Sequence, residues 1–390
     1  MGQWRPWVML AAIVLARVGF GFQFQEVATL GPALIARFHL DYATLGSLIG
    51  AYMLPGVFVA LPAGMLGRRL GDGLVLGAGL VLMALGGLLS ALAGGLAGLT
   101  AGRILAGLGA VAMSVLQSKV IADWFKARRF MLAISISTGS YPVGVGLSQI
   151  VVPGLVGRLG LAAPFLAGAA WMTVSAALFL GSYRTAPQVQ ESGRAVVFPS
   201  GRECVLLLTA GMIWASYTGA YAGYLAYLPS LMSEQGWSLA LTAVAATIAT
   251  WGNAGATLAG GALAARFGVW PVFVVGSLCL VAGVAGAGGL DWPVAWALMI
   301  GLPGSMQSGV IMAVGTLSAR AETRAAGMGL FYIVYYVGGA VVPAFCGWAA
   351  DAYGSAAGAM YAAAAVALLA MPLFMLHRRL SVSEGLLRVT

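Results

Sequence analysis

Charged residues are scarce in this chain of 390 residues, because Asp, Glu, Lys and Arg together make up only 8% of it. Soluble globular proteins carry about 25% charged residues, and a chain this long could not build a water-facing surface from so few. The composition therefore excludes a soluble enzyme, a nucleic-acid-binding domain and a disordered protein. The net charge of +9 indicates no nucleic-acid partner, since most basic residues lie in short loops between apolar runs.

Residues that form disulfides and metal sites are also few. The three cysteines, Cys204, Cys279 and Cys346, lie far apart in or beside apolar runs, and His39 and His377 show no ligand spacing. We therefore expect no disulfide scaffold, no metal site and no cofactor. No apolar run carries clustered carboxylates or a nucleophile with its base, so we also expect no catalytic residues.

Long apolar runs are abundant, and 61% of the residues are hydrophobic. Twelve runs reach the roughly 20 residues that a helix needs to cross a bilayer. The first, residues 7–36, is far too long for the apolar core of a signal peptide. The runs are continuous, which is not the alternating pattern of barrel strands. The sequence predicts an all-α integral membrane protein with twelve transmembrane helices.

One long polar stretch, residues 183–203, lies between the sixth and seventh spans and so separates two groups of six spans. It predicts an N-terminal six-helix bundle over residues 1–183, a cytoplasmic linker over 184–202, and a C-terminal six-helix bundle with a short tail over 203–390. Fifteen basic residues lie in loops on the linker's side and two, Arg37 and Arg158, on the other. This bias predicts cytoplasmic termini in a bacterial-type inner membrane.

The two halves share a short repeat. Residues 64–71 follow the second span and residues 261–268 follow the eighth, and Leu, Arg and Gly recur in them at an offset of 197 positions. Spans three, six, nine and twelve contain no amide, acidic or basic side chain or histidine. Because polar groups are costly in hydrocarbon, we expect these four spans to face lipid and the other eight to surround a polar path.

These features resemble the major facilitator superfamily of secondary transporters. Residues 64–71 are similar to that family's signature between helices two and three, although Arg68 and Asp72 depart from it. Arg103, Gly107 and Gly109 match its Arg-x-x-x-Gly-x-Gly pattern in helix four. In helix five, residues 139–146, including Pro142, partly resemble a signature of proton-coupled drug exporters.

The resemblance implies two pseudo-symmetric six-helix bundles, a substrate site near the membrane midplane and alternating access. Within the family, the chain is most similar to the small-anion branch that includes cyanate and nitrate porters. Nitrate porters of this branch carry an arginine in helices two and eight. Spans two and eight lack an interior arginine here, so nitrate is disfavoured as the substrate. The resemblance also suggests structural or gating roles, which we assign to Arg69, Arg103, Gly107, Pro142 and Arg266.

Arg17 is the leading candidate for substrate binding. It lies ten residues beyond Trp7, about 15 Å into the first span and near the middle of the bilayer core. A guanidinium there matches a carboxylate bidentately, although a structural charge is the alternative interpretation. Phe20 and Phe24 lie on the same helical face and are predicted to line the cavity.

Glu26 is the one acidic residue well inside a predicted span. It lies nine residues beyond Arg17, which turns a helix by about 180°, so the two are not expected to pair. Burial would raise its pKa and suit it to proton coupling, whereas the alternative is a water-exposed residue at the outer mouth. Lys119 lies one turn before Asp123, and we expect a local ion pair there.

The remaining substrate-binding candidates are tyrosines and polar residues of spans seven, eight, ten and eleven. In the family fold, helices seven and eleven flank the cavity, and buried tyrosine hydroxyls need partners. A Pro303–Gly304 break beside Gln307 suggests a transport site, with a simple kink as the alternative. The candidates are Tyr217, Tyr221, Tyr224, Trp251, Asn253, Gln307, Tyr332 and Tyr335, with Tyr52 and Tyr141 as weaker additions.

The charges inside the spans favour an anionic substrate, because the three basic residues Arg17, Arg103 and Lys119 outnumber the single acidic residue Glu26. We therefore expect a monomeric secondary transporter for a small anion, an organic carboxylate or a cyanate-like ion, coupled to a proton or a counter-anion. The alternative is a proton-coupled drug exporter, which the scarcity of membrane carboxylates disfavours. A membrane-embedded enzyme or sensor is a third and weaker interpretation, since no extra domain is apparent.

Overall fold

The structure is a computed structural model that describes residues 5–125, 127–183, 198–289, 291–320 and 322–382. Within these ranges the chain is helical and contains no strand. The helices are α1 (Arg5–Thr29), α2 (Gly31–Phe38), α3 (Tyr42–Ala51), α4 (Leu54–Leu70), α5 (Asp72–Ala91), α6 (Leu96–Trp124), α7 (Ala127–Leu159), α8 (Ala162–Ser182), α9 (Gly201–Glu234), α10 (Leu239–Phe267), α11 (Val269–Gly289), α12 (Pro293–Gly301), α13 (Gln307–Leu317), α14 (Arg324–Tyr353), α15 (Ala357–Leu368) and α16 (Ala370–Val382).

Twelve spans in the described part of the chain are long and apolar enough to cross a bilayer. Nine consist of one helix each. The second joins α3 to α4, the tenth joins α12 to α13 through the short 3-10 helix Pro303–Ser305, and the twelfth joins α15 to α16. The predicted class, an all-α membrane protein with twelve spans, is confirmed. The 3-10 helix lies where the Pro303–Gly304 break was expected.

The chain divides into two compact units. The first comprises residues 1–33 and 51–194, and the second comprises residues 34–50 and 195–390. The division near residue 194 falls inside the predicted linker, whose residues 184–197 lie outside the described part of the chain. Residues 34–50 pack with the second unit, an arrangement that the order of the spans did not predict.

The repeated motif forms the same backbone turn in both units. Gly71 ends α4 with φ of 94°, and Gly268 ends α10 with φ of 90°. Each amide donates to a carbonyl four residues earlier, at Gly67 and Ala264. A positive φ is strained for residues with a Cβ, so glycine at both positions reflects a shared helix end.

In the first unit, α1 and α7 approach closely enough for backbone contact. A Cβ added to Gly144 would lie 1.9 Å from the Val18 carbonyl oxygen, and one on Gly21 would lie 2.3 Å from that of Tyr141. Only glycine fits such a crossing. The close approach positions side chains of α1 and α7 beside one another, and this contact builds the site described below.

The ion pair at the end of α6 differs from the expected one. Lys119 Nζ lies 2.6 Å from Asp72 Oδ2, at the start of α5. The expected Lys119–Asp123 pair was therefore wrong, since the lysine reaches a residue 47 positions earlier instead of its neighbour on the next turn. The pair joins α5 to α6 at the loop where the family's signature is altered.

In the second unit, residues 41–50 are held by side-chain contacts. Asp41 Oδ1 accepts a hydrogen bond of 2.8 Å from the Thr44 amide and so caps α3. Hydrogen bonds from Thr44 hold the pKa of Asp41 below its ordinary value. The Tyr227 hydroxyl lies 2.8 Å from the carbonyl oxygens of Tyr42 and Pro343, and Asp351 accepts from the Tyr42 amide at 2.8 Å. These contacts join α3 to α9 and α14.

Candidate functional site

The first unit holds Arg17 among aromatic rings. Its side chain is half-buried on α1, and Nη1 donates to Ser114 Oγ of α6 at 3.3 Å. The guanidinium carbon lies 5.2 Å from the ring centre of Phe20 and 5.3 Å from that of Tyr141. Cation–π contacts of this length orient a guanidinium without neutralising its charge. The predicted neighbour Phe20 is thus beside Arg17, as helical spacing implied.

Four rings form a closed cluster next to this guanidinium, which we call the four-ring cluster: Phe20, Phe24, Tyr52 and Tyr141. The centroid of Phe20 lies 5.9 Å from that of Tyr52 and 5.0 Å from that of Tyr141. Phe24 completes the cycle at 5.9 Å from Tyr52 and 6.2 Å from Tyr141. Phe20 and Tyr52 are buried, whereas Phe24 and Tyr141 are partly buried. The cluster therefore has one buried pair and one partly exposed pair.

A second arginine lies behind the four-ring cluster. Arg103 is 1% exposed, and its guanidinium carbon lies 4.3 Å from the ring centre of Tyr52. Nη1 donates to the Gln23 carbonyl at 2.6 Å and Nη2 to that of Phe24 at 3.2 Å. The guanidinium is thus bonded to the backbone of α1, which supports the structural interpretation of Arg103.

Glu26 lies beside this buried arginine. Its side chain is almost fully buried, and Oε1 lies 3.8 Å from Arg103 Nη1. The interpretation of Glu26 as a water-exposed residue at the outer mouth is therefore wrong. Glu26 and Arg17 lie on opposite faces of α1. Glu26 contacts α6, where Arg103 supplies the opposite charge. Its role in proton coupling stays a prediction.

The polar residues of the second unit form a neutral hydrogen-bonded chain. Asn253 Nδ2 donates to Tyr217 Oη at 2.8 Å, and Thr257 Oγ1 donates to the Asn253 carbonyl at 2.8 Å. Thr257 Oγ1 also lies 2.7 Å from Ser308 Oγ. Ser308 follows the 3-10 helix of span ten, so the chain links α9, α10 and α13. The structure thus brings the predicted residues Tyr217 and Asn253 together.

The side chain of Gln307 forms hydrogen bonds at the break in span ten. Its Oε1 accepts from Ser277 Oγ at 2.7 Å, and its Nε2 donates to the Gly304 carbonyl at 3.0 Å. The side chain is 1% exposed. A Pro–Gly interruption frees backbone carbonyls that need partners in a membrane, and Gln307 supplies one of them. A substrate contact by this residue stays a prediction.

The other aromatic candidates are scattered over the second unit. Tyr221 stacks on Tyr217 with centroids 6.4 Å apart, while Tyr224 is fully buried. Tyr332 contacts Tyr335 edge to face at 6.2 Å and is 38% exposed. Trp251 is 48% exposed on α10. Tyr221 thus lies next to the Tyr217–Asn253 pair.

The residues assigned to structural or gating roles occupy different environments. Arg69 and Arg266 are exposed at the ends of α4 and α10. Gly107 lies against the backbone of the second span, where an added Cβ would lie 2.2 Å from the Tyr52 carbonyl oxygen. Pro142 lies inside α7, next to Tyr141 of the four-ring cluster. Gly107 thus positions Tyr52, while the side chain of Arg68 lies outside what the structure describes.

Sequence reasoning missed Ser114, Thr257 and Ser308. A signal for Ser114 existed, since it lies eleven residues after Arg103, which is three helical turns on the same face of α6. Thr257 likewise follows Asn253 by one turn of α10. Single hydroxyls in membrane helices are common, so neither spacing identified them. Among the described residues, no group of three His, Cys, Asp or Glu side chains could hold a metal ion.

Comparisons with known proteins identify the family. A profile described as Major Facilitator Superfamily matches residues 9–343, so the chain belongs to that superfamily of transporters. The Escherichia coli inner membrane transport protein YajR is 25% identical over 216 residues, which cover 55% of this chain and 43% of YajR. The 4-hydroxybenzoate transporter PcaK of Pseudomonas aeruginosa is 26% identical over 319 residues, covering 72% of this chain and 70% of PcaK.

Solved structures agree with the fold. A bacterial homologue of the human lysosomal transporter Spinster, inward-facing and unoccupied, superposes with a TM-score of 0.82 at 16% identity and covers 98% of both chains. The nucleoside transporter NupG gives a TM-score of 0.75 at 12% identity over 96% of this chain and 98% of NupG. At such identities the likeness concerns the fold alone. The predicted family is confirmed, while its small-anion branch stays a prediction.

Proposed function

We propose that the protein is a secondary transporter that moves a small organic anion, a carboxylate or a cyanate-like ion, across the membrane by alternating access. The observation that carries the proposal is Arg17, a half-buried guanidinium near the middle of the first span. Ser114 and two rings hold it in place, and an arginine fork suits the two oxygens of a carboxylate. The relative PcaK, named for an organic acid, supports the same substrate class.

The charges around Arg17 also support an anion. Glu26 lies beside Arg103, and Asp72 beside Lys119, so each of these two acids is matched by another base. A lipophilic cation would need a carboxylate partner, and within the described first unit both of these carboxylates already have one. This arrangement favours anion transport over the drug-exporter alternative.

The test is ligand-induced thermal stabilisation of the purified protein by inorganic anions, monocarboxylates, dicarboxylates and cationic drugs. A ligand at 100 times its Kd stabilises the bound state by about 2.7 kcal/mol, which raises the melting temperature by several degrees. We expect one anion class to stabilise the native protein, Arg17→Gln to abolish the shift, and Arg17→Lys to restore part of it. Arg37→Gln, which changes an exposed arginine in the last turn of α2, is the matched control.

Two results would contradict the proposal. Equal stabilisation of the native protein and Arg17→Gln by an anion would assign Arg17 a structural role. Stabilisation by cationic drugs with none by any anion would favour the exporter alternative. Transport itself is then measured with the identified anion in proteoliposomes, where accumulation against a gradient distinguishes a carrier from a binding protein.

Glu26 is the proposed proton-coupling residue of this transporter. Its burial beside Arg103 allows protonation to remove one half of an ion pair and loosen the contact between α1 and α6. We expect Glu26→Gln to abolish uptake driven by a proton gradient while anion exchange between the two sides continues. Proton-driven accumulation at the native rate in this variant would exclude the role. If a proton gradient drives no accumulation by the native protein while anion exchange proceeds, the protein is an exchanger alone.

The proposed orientation places both termini and the linker in the cytoplasm. It rests on the fifteen-to-two distribution of basic residues between the two sides. Single cysteines introduced at Arg158 and Arg202 in a cysteine-free background test it. An impermeant maleimide added to intact cells should label the first position and not the second.

A further inference from the structure

We propose that the Arg17 site selects aromatic carboxylates, with the carboxylate on Arg17 and the ring against the four-ring cluster. This inference rests on the proposed function and specifies its substrate class. It comes from the two rings, Phe20 and Tyr141, that contact the guanidinium and from the two further rings packed against them, which a site for a bare inorganic anion would not need.

The first argument is the accessible face of the cluster. Phe24 and Tyr141 are partly exposed, whereas Phe20 and Tyr52 are buried. Tyr141 contacts both the guanidinium, at 5.3 Å, and the ring of Phe24, at 6.2 Å. An aryl group joined directly to a carboxylate on Arg17 would therefore lie beside these rings. Ring pairs at centroid distances of 4.5–7 Å are favourable beyond the area that they bury.

The second argument is the hydroxyl of Tyr52. Its oxygen is buried and has no hydrogen-bond partner among the residues that the structure describes. Leaving a buried hydroxyl unsatisfied is unfavourable, so this hydroxyl needs a partner that the described residues do not supply. Tyr52 is therefore the donor that we assign to an oxygen of the bound carboxylate or to a polar ring substituent.

The inference predicts a preference that depends on the π face and not on size. Benzoate and cyclohexanecarboxylate carry the same charge and similar bulk, but only benzoate can stack on a ring. A single aromatic pair improves binding by roughly 2- to 13-fold over an aliphatic contact of similar area. We expect a ratio in this range for the native protein, and weaker binding of butyrate than of either.

The experiment measures Kd for benzoate, 4-hydroxybenzoate, cyclohexanecarboxylate and butyrate by calorimetry on the full-length protein in detergent. Tyr141→Leu and Phe24→Leu should each reduce the benzoate preference while carboxylate binding through Arg17 continues. Tyr52→Phe keeps the ring and should weaken binding while preserving the preference. Phe345→Leu, which changes an exposed ring of the second unit, should alter neither.

The two levels of the proposal fail in different ways. Equal affinity of the native protein for benzoate and cyclohexanecarboxylate, with both lost in Arg17→Gln, would overturn the aromatic selectivity and leave anion transport standing. Unchanged selectivity in both leucine variants would also overturn it. Binding of no carboxylate would refute the selectivity, and binding of no anion of any class would refute the proposed function with it. Because Tyr52→Phe removes one oxygen atom only, it reports on the hydroxyl even where a leucine variant folds poorly.

Discussion

Breaking the buried Arg103–Glu26 pair should destabilise the first unit strongly, and breaking it from both sides should cost less than the sum of the two changes. Arg103 Nη1 and Glu26 Oε1 are 3.8 Å apart, and both side chains are nearly inaccessible. At an effective dielectric constant of 20, two unit charges at this distance attract by about 4 kcal/mol. Removing one partner of a buried pair costs about 3–5 kcal/mol, because the other charge stays buried without its counter-charge.

The assay is a double-mutant cycle of Glu26→Gln, Arg103→Met and both together, followed by thermal unfolding without ligand. Each single variant should melt on the order of 10 °C lower, since 1 kcal/mol corresponds to about 2–4 °C in a unit of this size. Glu26→Gln should be the milder change, because Arg103 keeps its bonds to the carbonyls of Gln23 and Phe24. We expect the double variant to be more stable than additivity predicts by about 1–3 kcal/mol.

Additive shifts would refute the reasoning, since they would mean that the two charges do not interact despite their distance. The matched control is the Lys119–Asp72 pair, whose atoms are closer, at 2.6 Å, but whose lysine is 43% exposed. Solvent screening limits exposed pairs to about 0–1 kcal/mol. A smaller coupling energy for this shorter pair would show that burial, and not distance, sets the strength of the Arg103–Glu26 interaction.

Three further predictions concern packing and capping. Gly144→Ala should lower the melting temperature by several degrees, because its Cβ would meet the backbone of α1, whereas Gly139→Ala on the same helix meets nothing within 4 Å and should be neutral. Tyr227→Phe should cost about 1–3 kcal/mol by thermal unfolding, since the carbonyls of Tyr42 and Pro343 lose a shared donor. Asp41→Ala should cost about 1 kcal/mol at pH 7. The lowered pKa of Asp41 means that the charge-dependent part of this stabilisation is present above the unfolded pKa and lost as pH falls through the folded pKa, so the two melting curves should converge in acid.

The number and type of the spans could be predicted because the bilayer imposes a simple length requirement. Twelve apolar runs gave twelve spans, and the Pro303–Gly304 break appeared as a 3-10 turn. The grouping of residues 34–50 with the second unit could not be predicted in the same way. It depends on contacts such as Tyr42 with Asp351, over more than 300 residues of sequence, to which hydropathy is insensitive.

The candidate site could be predicted only as far as helical spacing reaches. Spacing on α1 placed Phe20 beside Arg17 and separated Glu26 from it. It could not identify Arg103 as the partner of Glu26, because that contact joins α1 to α6. The same limit explains Lys119, for which Asp123 on the next turn was the local choice and Asp72 on another helix is the actual partner. Ion pairs between helices are determined by packing, which a single sequence does not reveal.

The offset of 197 positions that relates the two motifs also relates the candidate sites, and it shows what the halves do not share. At that offset Phe20 corresponds to Tyr217 and Phe24 to Tyr221, so both first spans of the halves carry aromatic residues one turn apart. Arg17 corresponds to Trp214, whose ring lies 5.6 Å from that of Tyr217, much as the guanidinium lies beside Phe20. Both halves thus carry the aromatic pair, while the cation is present in one. The proposed anion site has its charge on one unit, with no cation at the matching position of the other, so a neutral residue at position 17 should abolish binding instead of halving it.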